Sequence, residues 1–211
     1  MPQLRANCRL TSDRLGVDYE VFNDTAEPIY VRNRYGGPVP IHPNSTRRES
    51  YTTSSAAIYR LSSGEILLFQ GRTILAGPPF PYAPPPQPAS TEVGPGQTTS
   101  GILELSLPLR ASHGTSSTFR APAEGYAPTG RAILVVEVLL PPLTNPPQQQ
   151  DGTDAVYVSD DNLERLSVSL ELPNPVMMDV SQALTRWGDE HWRIIREKKS
   201  AFEGRCSFEP A

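Results

Sequence analysis

Leu166, Val168, Leu170 and Leu172 alternate with Ser167, Ser169 and Glu171, so apolar side chains return at every second position. A period of two sends successive side chains to opposite faces and marks a half-buried β-strand. The stretch "GVDYEVFND" repeats the pattern, with Val17, Tyr19 and Val21 set against Asp18 and Glu20. In "GILELSLPLR", Leu103, Leu105 and Leu107 alternate with Ile102, Glu104 and Ser106. Further runs follow the same logic. "PIYVRNRY" comes after the "DTAE" turn, 58–61 and 66–69 flank "SSG" as a hairpin, and 73–76 and 156–158 read as short strands. The most apolar run, 132–140, reads as a central strand. About eight strands result, and no helical period of ten or more residues interrupts 1–173. Such a series specifies an all-β, antiparallel β-sandwich and argues against a parallel α/β sheet.

Proline reinforces this reading. The chain of 211 residues carries 23 prolines, about twice ordinary usage, and proline breaks helices by removing a donor. Seven of them fall in "GPPFPYAPPPQP", residues 77–88, inside a longer loop expected over 77–97. Two PxxP spacings occur there, yet the nearest basic residues are Arg72 and Arg110. The stretch therefore reads first as a stiff inter-strand loop. Phe80 and Tyr82 are its candidate partner-binding residues, because aromatic side chains on a rigid loop lose little entropy on binding.

The C-terminal region changes period. Val180, Leu184, Trp187, His191, Ile194 and Ile195 recur at three- and four-residue intervals, which predicts an amphipathic α-helix over 180–202. A hinge at 174–179 precedes it, and a tail at 203–211 follows. Asp179 or Ser181 can cap its start, and Arg193, Arg196, Lys198 and Lys199 suit its end. Trp187 and Trp192 lie about 140° apart on a helix, so one face does not bury both. Leu184, Trp187, Trp192, Ile194 and Ile195 are therefore candidate contacts for a protein partner or a second copy. The competing expectation is that the helix covers a sheet of its own domain.

Charge and motifs narrow the function classes. The net charge is −4, with 12 basic and 11 acidic residues in 1–150, so no large basic patch suits nucleic acid. Arginine outnumbers lysine 17 to 2, as in GC-rich genomes. The apolar runs are too short to span a bilayer, and no membrane insertion is expected. Cys8 and Cys206 read as two free thiols in a reducing compartment, a disulfide between them being the alternative. "MPQLRANCRL" lacks the apolar segment of a signal peptide, so a cytoplasmic location is expected. Asp151, Asp154, Asp160, Asp161 and Glu164 form an acidic loop that could hold calcium, but the spacing is not that of an EF-hand. His42, His113 and His191 stand in unrelated segments, and no nucleophile, phosphate-loop or zinc motif accompanies them. No catalytic residue, metal or cofactor is expected.

The segments "VFNDTAEPIYV" and "VGPGQ" resemble bacterial immunoglobulin-like and fibronectin-III-like domains across 14–172. The Cys-Trp-Cys core of true immunoglobulin domains is absent. The resemblance implies an immunoglobulin-like architecture, a single domain over 1–173, and no function of its own. The expected function is a non-enzymatic protein-interaction or assembly module. The alternatives are a protease inhibitor presenting 77–88, or a hydrolase whose triad is not visible in sequence.

Overall fold

The computed structural model describes residues 1–34, 56–71, 88–111, 125–149, 155–159 and 162–180. Beyond these it describes 185–186, 188–190, 192–193, 199–203 and 205–208. The protein is all-β. The strands in chain order are β1 (Gln3–Leu10), β2 (Arg14–Phe22), β3 (Ile29–Arg34), β4 (Ala57–Arg60), β5 (Ile66–Gln70), β6 (Ala89–Val93) and β7 (Thr98–Ser106). They continue as β8 (Tyr126–Leu139), β9 (Gln148–Gln149), β10 (Ala155–Tyr157), β11 (Leu163–Asp179), β12 (Lys199–Glu203) and β13 (Arg205–Phe208). Among the described residues no helix is long and apolar enough to cross a membrane.

Two sheets form. The smaller runs β13-β1-β2-β7, and the larger runs β12-β11-β8-β3-β6-β10-β9, with β5 alongside β8 and β4 alongside β5. One core joins them. Leu4, Leu10, Leu15, Val17, Leu103 and Leu105 of the small sheet contact Leu134, Val136, Leu166, Val168 and Leu170 of the large one. Val17, Leu103, Leu105, Leu166, Val168 and Leu170 among them are alternate residues that the period-two patterns select. From Ala132 onward β8 is buried on both faces, which is why it reads as a continuous apolar run. Its second face, Ile133, Val135, Glu137 and Leu139, lies under other parts of the chain.

Several elements differ from the sequence reading. β1 was not expected, although Leu4, Ala6, Cys8 and Leu10 alternate as buried residues with Arg5, Asn7 and Arg9. The expected hinge at 174–179 is instead the end of β11, which pairs with β8 as far as Asp179. The prolines at 173 and 175 fall where the register shifts between Glu171 and Val176. A bulge leaves a residue out of the ladder, so the missing proline N–H costs no pairing there. Residues 199–202, the end of the expected helix, belong to β12, and the expected tail contains β13.

β12 and β13 separate the two sheets' fates at the C-terminus. β12 adds in parallel to β11, and β13 adds in parallel to β1. That second register sets Cys8 opposite Cys206. Cys8 is disulfide-bonded, and Cys206 is the only other cysteine in the chain. The expectation of two free thiols is therefore corrected. Cys8 is fully buried at the edge of the common core, where the bond ties the last strand to the first.

Candidate interaction surfaces

The helical positions of the C-terminal region lie between Thr185 and Arg193, and they pack against the outer face of the large sheet. Trp192 is 7% exposed and joins Tyr59, Leu61, Leu67, Phe69, Ile133 and Val135 in one apolar cluster. Gly188, one turn earlier, meets the end of β4. A Cβ at 188 would stand 2.7 Å from the Arg60 carbonyl oxygen and 2.9 Å from the Tyr59 Cβ. Asp189 Oδ1 accepts a hydrogen bond from the Ser62 backbone N–H at 2.9 Å. Glycine at this position therefore permits close approach, which offsets its weak helix propensity. Burial also raises the pKa of the neighbouring Tyr59 hydroxyl.

Trp192 thus serves its own sheet and is withdrawn from the set of expected partner contacts. Its face includes Gly188 at i−4, and a glycine leaves no apolar signal for a periodicity argument to find. Leu184, Trp187, Ile194, Ile195, Phe80 and Tyr82 lie outside the described residues, as do His42, His113, His191 and the acidic positions 151, 154, 160 and 161. Gly188→Ala is expected to lower stability by about 1–3 kcal/mol, because the carbonyl in its way belongs to the backbone. Urea denaturation monitored by fluorescence, in a Trp187→Phe background, checks this. The variant's native emission should shift to the red as Trp192 leaves its pocket.

The middle of the same outer face holds a buried ion cluster. The Arg32 Nη1 donates to Glu137 Oε2 at 3.2 Å, and the Arg165 Nε donates to Glu137 Oε1 at 3.1 Å. Arg32 Nη2 also reaches the Val158 carbonyl at 3.4 Å. Arg165 stands directly opposite Glu137 across the β11–β8 pair. Arg32 follows Val31, which pairs with Val138, so the other strand brings it to the same level. Here β8 changes neighbour from parallel β5 to antiparallel β3. Gly71, just past β5, makes the room: a Cβ there would lie 2.5 Å from Glu137 Cγ and Cδ. Both arginines share the one carboxylate in a dry site, so removing that partner would leave buried charge uncompensated.

Beside it, a cleft of about 560 Å³ is lined by Tyr30, Thr91, Glu92, Pro147, Gln149 and Val156. Burial, and then the Glu92 charge, raise the pKa of the Tyr30 hydroxyl. The Thr91 hydroxyl donates to Asn33 Oδ1 at 2.7 Å and accepts from Arg34 Nε at 2.9 Å. The Thr91 hydroxyl is therefore already committed on both its donor and acceptor sides.

The small sheet ends differently. β7 is nine residues long and pairs with β2 along its whole length. The Asn23 N–H donates to the Gln97 carbonyl at 2.9 Å, and the Leu107 N–H donates to the Asp13 carbonyl at 2.8 Å. These two bonds bracket an unbroken register and fix its parity. Thr99, Gly101, Leu103 and Leu105 direct their backbone groups at β2. Thr98, Ser100, Ile102, Glu104 and Ser106 direct theirs away, and their side chains are exposed. No described strand adds to that side.

Ile102 is 46% exposed, one of four large apolar side chains so placed among the described residues. At Gly101 the Tyr19 ring covers the backbone where a Cβ would stand. Burial raises the Tyr19 hydroxyl to about 12, against the lowering effect of the Asn33 and Gln70 side chains and the Arg34 charge. Edge strands are normally blunted by lysine, proline, a bulge or short length. β7 has none of these, and its one charge, Glu104, pairs with Arg14 of β2 at 3.5 Å. No known protein family, curated protein or solved structure matches the chain.

Proposed function

We propose that this chain is a non-enzymatic protein-interaction or assembly module of immunoglobulin-like architecture that works by strand addition at β7. The observation that carries this reading is the row of outward backbone groups on Thr98, Ser100, Ile102, Glu104 and Ser106. An extended segment laid along them gains main-chain hydrogen bonds for affinity, and Ile102 offers it a side-chain contact. The antiparallel β1–β2–β7 and β3–β6 pairs support the immunoglobulin-like reading, while the parallel β5–β8 pair departs from it. The Cys8 disulfide supports an oxidising compartment over the cytoplasm expected from sequence. Of the contacts expected on the C-terminal helix, Trp192 is spent on the chain's own sheet, and the proposal therefore rests on the β7 edge.

A photo-crosslinking residue in place of Ile102, expressed in the source cells, tests the proposal. A discrete adduct with one polypeptide is expected from position 102, and none from Arg5 on the same exposed face of β1. No adduct from 102, or equal adducts from both positions, would overturn it.

A further inference from the structure

We infer that the strand taken up by β7 is β7 of a second copy, in an antiparallel register centred on Ile102. The inference rests on the strand-addition reading above and names its partner. Three observations converge on it. Ile102 sits at the midpoint of Thr98–Ser106, and its backbone groups belong to the outward set. An isologous contact about a twofold axis must place some residue opposite itself. Ile102 is the residue on β7 that gains from this, since an exposed apolar side chain is then covered by its own twin.

The rest of the register agrees. Centring on Ile102 sets Ser100 opposite Glu104 of the second copy, and Thr98 opposite Ser106. The one charge on the strand therefore meets a hydroxyl and not its like, and Arg14 neutralises it in each copy. A centre at Gly101 would set Ile102 opposite Ser100, and a centre at Leu103 would set it opposite Glu104, so neither covers the exposed apolar side chain with another, and each leaves one end of the strand unmatched. A centre at Glu104 would face carboxylate with carboxylate, which destabilises a pair. In the Ile102 register every outward N–H and C=O from Thr98 to Ser106 meets a partner. The two four-stranded sheets then become one continuous sheet with Ile102 on the axis.

Sedimentation equilibrium of the full, oxidised chain tests this, over concentrations on the order of 1 μM to 1 mM. The expected result is a monomer–dimer equilibrium with no higher species, because a twofold contact closes on itself. Ile102→Lys places two ammonium groups face to face on the axis, and is expected to weaken the dimer roughly tenfold or more. The folded monomer tolerates it, since Asp18 lies opposite position 102 within the sheet. Ser100→Lys adds the same charge two residues away, where it faces Glu104 of the second copy, and is expected to keep or tighten the dimer.

A chain that stays monomeric throughout, or two lysine variants that weaken association equally, would overturn the inference. A monomeric chain that still yields a discrete adduct with another polypeptide from position 102 would leave strand addition standing. A monomeric chain with no adduct would remove both.

Discussion

Replacing Cys8 by serine is expected to lower the unfolding free energy by about 5 kcal/mol, the largest effect of any single change considered for this chain. The number follows from loop size. Cys8 is disulfide-bonded and Cys206 is its one possible partner, so the bond closes a loop of roughly 200 residues. Closing so long a loop removes more chain entropy from the unfolded state than a short one would. The register between β1 and β13 already brings the two positions together, so the native state is compatible with the link. A domain of this size is stable by roughly 5–15 kcal/mol in total, so the loss is a large fraction. Urea denaturation of Cys8→Ser and of the reduced wild type should give the same lowered midpoint. An unchanged midpoint would mean that the bond contributes nothing to holding β13 against β1.

Glu137→Gln is expected to cost about 3–5 kcal/mol, because it takes the shared carboxylate away from two buried guanidinium groups. Arg32 and Arg165 are 5% and 6% exposed at the side chain, and Glu137 is 1%. Water therefore does not replace the lost charge. Gly71 presses against the same carboxylate, so the surroundings are shaped to its position and relax little. The converse experiment separates the cost of breaking the cluster from its net worth. Replacing Arg32 and Arg165 by methionine and Glu137 by leucine together is expected to be near neutral or stabilising. Thermal and urea denaturation of both variants check the pair. A single variant as stable as wild type would show that the two arginines share the site without the carboxylate.

Much of the fold is written in period-two patterns, and the reason is visible in the core. Strands with one buried face and leucine or valine on it, such as β2, β7 and the first half of β11, are found at their sequence positions. β1 carries the same alternation, but Ala6 and Cys8 are small, so the contrast with their polar neighbours is weak. β12 and β13 follow a helical pattern and pair in parallel with strands far back in the chain. Nothing local specifies such pairings. The disulfide has the same origin, since only the β1–β13 register sets Cys8 against Cys206.

The candidate site was legible in a different way. Ile102 and Glu104 were readable as the exposed side of a strand, while the openness of that strand's edge is a property of sheet order. Trp192 misled in the opposite direction. A tryptophan off the main apolar stripe looks like a free anchor until Gly188, silent in any hydrophobic pattern, turns its face toward β4.

Residue-resolved amide exchange by NMR, at a protein concentration low enough to hold the chain as a monomer, tests the open edge most directly. The amides of Thr99, Gly101, Leu103 and Leu105 should exchange slowly, since they point at β2. Those of Ser100, Ile102 and Glu104 should exchange fast in the monomer and slow as the concentration rises. Slow exchange at Ser100, Ile102 and Glu104 in the dilute monomer would contradict the account, because the edge would already be covered by the chain itself.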